Sequence, residues 1–180
     1  PYPKNNILMT DDYVTSLFSS MGYTVEKETI LLSGGNTADN IIAKKTGSLY
    51  PNVYIEVGAH LDSQPTTPGA GDDASGSTAV IEMARVLKDY PSRYSIRFIL
   101  FVGHEEGGPN YGYNQGSQYH LDAALARGEQ IKAGLMIDSI GWTDLDPECV
   151  VGNPDCTGLH GTDLWLDTSN PDSAHIASVF

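Results

Sequence analysis

Positive charge is what this sequence has least of. Ten lysines and arginines stand against 23 aspartates and glutamates in 180 residues, a formal charge of −13 with a sequence pI near 4.5. That deficit argues against nucleic acid as a partner, because a phosphate backbone would be repelled. Apolar runs are short too, and none approaches the ~20 residues that span a bilayer, so no membrane partner is expected. Cysteine is scarce: Cys149 and Cys156 flank the turn-like GNPD, and an oxidising compartment would let them close a small loop. There is no Asn-X-Ser/Thr glycosylation signal, internal repeat or linker. The sequence opens on Pro1 rather than methionine, which reads as a mature or excised segment. With few lysines and many Tyr, Ser, Thr, Asn and Gly residues, the expected setting is secreted or extracellular, the periplasm included.

Enough apolar material remains for a core. Hydrophobic residues make up 40% of the chain without a long charge block, as in a globular domain, here expected to span 1–180. Thr10 reads as the N-cap of a helix: Asp11 and Asp12 follow it, Val14, Leu17, Phe18 and Met21 keep helical spacing, and Gly22 ends it. TVEKETILL and NIIAKKTG read as strands of a hairpin, and VYIEVGAH as a strand with Val53, Ile55 and Val57 on one face. STAVIEMARVLKDY carries a helical stripe of Val80, Met83, Ala84 and Leu87. SIRFILFVG is a near-continuous apolar run, the pattern of a strand covered on both faces. A helix at GSQYHLDAALARG, a strand at AGLMIDSIGW, a short strand at VVGN and a helix start at PDSAHIASVF complete the reading. Strands alternating with helices define an α/β protein: three layers, with a mostly parallel central sheet flanked by helices.

Ligands of open α/β sheets sit beyond the carboxyl ends of the strands. Three apolar runs end alike: VYIEVGA in His60, SIRFILFVG in His104, Glu105 and Glu106, and GLMI in Asp138. The loop GDDASG adds Asp72 and Asp73 before a helix. Carboxylates at buried strand ends need solvent, a partner or a metal. One histidine with several carboxylates and no cysteine suits zinc or a similar divalent ion. Two ions sharing a carboxylate can activate one water, with an unligated glutamate as general base. Each signal alone has a plainer reading, a structural histidine, a helix cap or an exposed glutamate pair. It is their order and placement together that point to a site.

GAHLDS, PGAGDDASG, FVGHEEGG followed by GS, and LMIDSIG together resemble the co-catalytic zinc exopeptidases typified by bacterial leucyl aminopeptidase, over about Val53 to Trp142. The resemblance implies a zinc exopeptidase-like fold and a zinc-dependent aminopeptidase acting on peptide substrates, with two zinc ions. It implies His60, Asp72, Glu106 and Asp138 as metal ligands, Asp72 as the bridge between two ions, Glu105 as general base and Asp62 as the carboxylate orienting His60. Gly71 stands where the family often has aspartate. The family's last histidine ligand, in a Tyr-His-Thr-like context, has no counterpart after Asp138, where His160 and His175 are the only histidines. The expectation is therefore that the family's C-terminal part lies outside this chain. His120 reads as structural and His104 as a residue lining the site. Two other readings stay open: a non-catalytic, self-associating module on this fold, and a glutaminyl cyclase-like enzyme with a single zinc.

Overall fold

The computed structural model describes residues 4–110, 112–140 and 165–166. Its first helix, α1 (Lys4–Ser20), begins before Thr10, which lies inside it rather than capping it. No glycine or proline interrupts 4–9, so nothing stops the helix from propagating backward past the cap-like Thr-Asp-Asp. Gly22, at φ +90°, follows its last turn, and the Tyr23 N–H donates to the Phe18 carbonyl at 3.2 Å.

Strands β1 (Thr24–Leu31) and β2 (Thr37–Lys45) form the expected hairpin around a short 3-10 turn at Ser33–Gly35. Then come β3 (Tyr50–His60), α2 (Ser75–Leu87), β4 (Tyr94–Phe101), α3 (Gln115–Ala126), β5 (Gln130–Met136) and a two-residue β6 (Trp165–Leu166). The sheet order is β1-β2-β4-β3-β5-β6. β3 runs parallel to β4 and β5, while the β1–β2, β2–β4 and β5–β6 pairs are antiparallel. The α/β architecture is as expected, with the parallel character confined to the centre. A short hairpin connection can only make antiparallel neighbours, whereas helices α2 and α3 carry the chain back for parallel ones.

Helices α1 and α2 pack on one face, where Val14, Phe18, Val80 and Ala84 meet Val57, Ala59, Phe98 and Leu100. Tyr23 sits edge-on to Phe18 and Phe98 and donates its hydroxyl to the Ala84 carbonyl at 2.7 Å. α3 lies on the other face, with His120 edge-on to Phe101. β3 is consequently buried on both sides: Val57 faces α2, and Tyr54 and Glu56 are buried as well.

Register is what assembles the site. His60 pairs with Phe101, and Gly58 with Met136, so the three central strands run out at one edge and deliver His60, His104–Glu106 and Asp138 side by side. Gly58 permits this, since a Cβ there would lie 2.6 Å from the Phe101 ring and 2.9 Å from the Met136 sulfur. Among the described residues no helix is long and apolar enough to cross a membrane. The expected strand at VVGN, the last helix, Cys149, Cys156, His160 and His175 lie outside the described residues.

Candidate metal centre

His60 is buried at the end of β3, and its backbone N–H is held by Asp73 and its carbonyl by the Ser77 hydroxyl. Its Nδ1 lies 2.9 Å from the Asp62 main-chain carbonyl, an acceptor that fixes the proton on Nδ1. The Asp62 carboxylate is 3.6 Å from the same nitrogen. Nε2 is then the nitrogen left to face the carboxylates. It is buried and makes no hydrogen bond among the described residues, yet stands 2.8 Å from Asp72 Oδ1 and 3.8 Å from Asp138 Oδ1. An orphaned imidazole nitrogen converging with carboxylate oxygens is an arrangement that a divalent cation satisfies, and these donors suit zinc.

Among the described residues, two sets of donor atoms lie mutually within 4.8 Å: His60, Asp72 and Glu105, and His60, His104 and Asp138. The local field is strongly negative. Burial works against protonating His60, but Asp62, then Asp73 and Asp138, raise its pKa to about 9 in the metal-free chain. A metal there displaces a proton, so its binding weakens as pH falls.

The loop after β4 is organised by Asp62. Gly103 turns it with φ +71°, and the Asp62 carboxylate then accepts the N–H groups of His104 (3.2 Å), Glu105 (2.8 Å) and Glu106 (3.3 Å). Burial alone would raise the Asp62 pKa; His60 and these amides hold it below the usual carboxylate range. Glu105 takes a hydrogen bond from the Gln64 amide. Glu106 is exposed and outside both donor sets, on the rim of a 370 Å³ cleft floored by Leu32, Ala38, Leu61 and Val102.

The Asp72–Asp73 pair divides its work. Asp72 is half exposed and faces His60, whereas Asp73 is 1% exposed and accepts the N–H groups of Gly76 (2.8 Å), Ser139 (3.1 Å) and His60 (3.2 Å). Burial raises the Asp73 pKa to about 6 against the pull of those amides. Asp73 therefore caps α2 and ties it to the ends of β3 and β5. Asp138, just beyond β5, accepts the Ser139 hydroxyl at 2.8 Å.

The structure thus gathers His60, Asp72, Glu105 and Asp138, with Asp62 behind them, and leaves Glu106 at the rim. His104 lines the site as read from sequence, where it was given no ligand role, and Gln64 was not assigned at all. His104 stacks on His60 with ring centroids 4.2 Å apart, and its position before the glutamate pair was the available signal. Gln64, a neutral amide in a loop, carried none.

Residues 40–170 match peptidase family M28, and the chain belongs to that family. Aminopeptidase YwaD of Bacillus subtilis is 47% identical over 72 residues, 39% of this chain and 16% of that protein. A leucine aminopeptidase precursor from Bacteroides thetaiotaomicron superposes with a TM-score of 0.64 at 22% identity, over 78% of this chain and 56% of the other. A glutaminyl cyclase from the same organism gives 0.63 at 21%, with the same coverage. These two structures establish the shared zinc-exopeptidase-like fold. The chain spans about a sixth of YwaD and little over half of each of the two structures.

Proposed function

We propose that the chain carries the catalytic centre of a zinc-dependent aminopeptidase that removes residues one at a time from the amino end of peptides. The observation that carries this is the buried, unbonded His60 Nε2 converging with Asp72 and Asp138 while Glu105 stands within reach. His60, Asp72 and Asp138 would hold zinc, with Asp72 shared if two ions bind and Glu106 as the further ligand that the family resemblance assigns. Zinc bound there supplies a Lewis acid that polarises a peptide carbonyl and acidifies a water. Glu105 takes a proton at its carboxylate and returns it to the departing amine. Gln64 holds one of its oxygens, and Asp62 fixes the backbone that carries it. The concentration of carboxylates suits the cationic amine of a peptide's first residue. The acidic, lysine-poor composition supports an extracellular setting.

A single-zinc glutaminyl cyclase is the second reading, favoured by both donor sets meeting at one histidine. Metal analysis of the purified chain, with turnover of aminoacyl chromogenic substrates and of an N-terminal glutamine peptide, separates the readings. Two zincs with amine release support the peptidase, and one zinc with ring closure the cyclase. Zinc without either reaction leaves the non-catalytic module. Glu105→Gln is expected to keep its metal and lose turnover; loss of zinc instead makes Glu105 a ligand and overturns its role as base.

A further inference from the structure

On the α3 face of the sheet, away from the metal centre, charged side chains from five parts of the chain meet, with His120, Arg97 and Glu56 buried and Arg127 half exposed at the edge. His120 of α3 is 3% exposed, with Nδ1 2.9 Å from Glu28 Oε2 of β1 and Nε2 3.1 Å from Glu56 Oε1 of β3. Arg97 of β4, equally buried, reaches Glu56 at 3.0 Å and Glu129 at 2.7 Å, and lies over the Tyr54 ring. Arg127, after α3, reaches Glu129 at 3.1 Å and Glu28 at 3.6 Å.

A neutral imidazole has one N–H and one lone pair, so either tautomer would turn that lone pair toward a buried carboxylate about 3 Å away. Only the imidazolium donates to both. Lys44 of β2 also lies on this face, 5.3 Å from the Tyr54 ring that Arg97 covers, so the two-acceptor geometry at His120, and not a charge count, is what calls for the second proton. Burial alone would lower the His120 pKa, but the hydrogen bonds with Glu28 and Glu56 outweigh it and raise it to about 9.

The cluster is wired to the metal centre through Asn40. Glu28 Oε2 also accepts from Asn40 Nδ2 at 3.3 Å; the same amide donates to the Gly116 carbonyl at 2.9 Å and accepts the Val102 N–H at 3.0 Å. Two main-chain bonds, Gln115 N–H to Gly103 O and Gly116 N–H to Val102 O, complete the seam. The first turn of α3 and the root of the His104–Glu106 loop are thus held together by an amide that Glu28 orients.

We propose that His120 is a buried imidazolium acting as a positioning residue: its proton locks α3 onto the sheet and, through Glu28 and Asn40, fixes the root of the Glu105 loop, which loosens when that proton is lost. Nitrogen-15 NMR of histidine-labelled chain, with His120→Gln identifying the signal by its disappearance, reads the ring directly and requires neither metal nor activity. The expected result is two protonated ring nitrogens at neutral pH, titrating near the alkaline value given above. Amide protection at Val102–Glu106, corrected for intrinsic exchange, is expected to fall roughly tenfold or more across that titration. A neutral ring at neutral pH overturns the proposal, as does loop protection that stays level while His120 titrates. If His120→Gln fails to fold, the signal is identified by sequential assignment of the wild-type chain, and the same two outcomes decide.

Discussion

Alanine in place of Asp62 removes a single carboxylate and leaves the N–H groups of His104, Glu105 and Glu106 without their acceptor. The three bonds are not equal. At 2.8 Å the Glu105 bond is short and charge-assisted, the kind that contributes about 1.5–3 kcal/mol, while those at 3.2 and 3.3 Å are long. Water reaches the half-exposed loop and recovers part of the loss. His60 keeps its anchor, because its Nδ1 proton goes to the Asp62 main-chain carbonyl, which alanine retains. The damage therefore falls on the loop, not on the imidazole. The loop carries Glu106, the further ligand proposed above, and loss of a ligand's supporting partner weakens metal binding by at most roughly 10–100-fold, about 1.4–2.7 kcal/mol.

Asp62→Asn sharpens the test. Its one oxygen, placed at the Oδ2 position, still accepts from Glu105 and Glu106, and only the His104 amide meets a donor. The asparagine variant is expected to bind zinc only a few-fold more weakly than wild type, by about 1 kcal/mol or less. Competition with a chromogenic chelator at neutral pH measures both, alongside urea unfolding of the metal-free proteins. Alanine binding like wild type would refute the supporting role of the carboxylate. Asparagine as poor as alanine would show that the negative charge, not the number of acceptors, is what matters.

How much of this was legible depended on whether the signal was local. The strands leading to His60 and Asp138 could be read because an apolar run stopping at a polar residue is visible in a short window. The start of α1 could not, because Thr10, Asp11 and Asp12 imitate a cap while 4–9 simply continues the helix. The hairpin was readable, but its docking beside β4 was not, since strand order is decided by contacts distant in sequence. Glu56 shows the limit best. It sits inside the alternation of VYIEVGAH, where nothing nearby tells that Arg97 and His120 will neutralise it, 41 and 64 residues away. Reading His120 as structural was apt as far as it went, but the carboxylates on both its nitrogens come from the fold.

The metal-free protein is expected to be most stable below neutrality, at about pH 5. Burial raises the pKa of Asp11 and of Asp73 to about 6, so the folded chain takes up these protons first and gains stability as pH falls through that value. Glu28 and Glu129 act oppositely: despite burial, His120 and the two arginines keep them below the ordinary glutamate value, and their contribution is lost at lower pH. A urea midpoint that declines steadily from neutral pH to pH 5 would contradict this. Adjacent aspartates that look equivalent in sequence are expected to fail differently. Asp72→Ala removes a half-exposed carboxylate that faces the His60 nitrogen, so zinc binding falls while the metal-free urea midpoint moves by no more than about 0.5 kcal/mol equivalent. Asp73→Ala strands the amides of His60, Gly76 and Ser139 in the interior. Losing a buried acceptor leaves a penalty of about 1–3 kcal/mol per donor, softened because a charge that disliked burial leaves too. A net loss of about 2–4 kcal/mol in unfolding free energy follows, with metal binding impaired only as a consequence. Finding the large stability loss at Asp72 and the clean metal loss at Asp73 would reverse the division of labour that the geometry assigns.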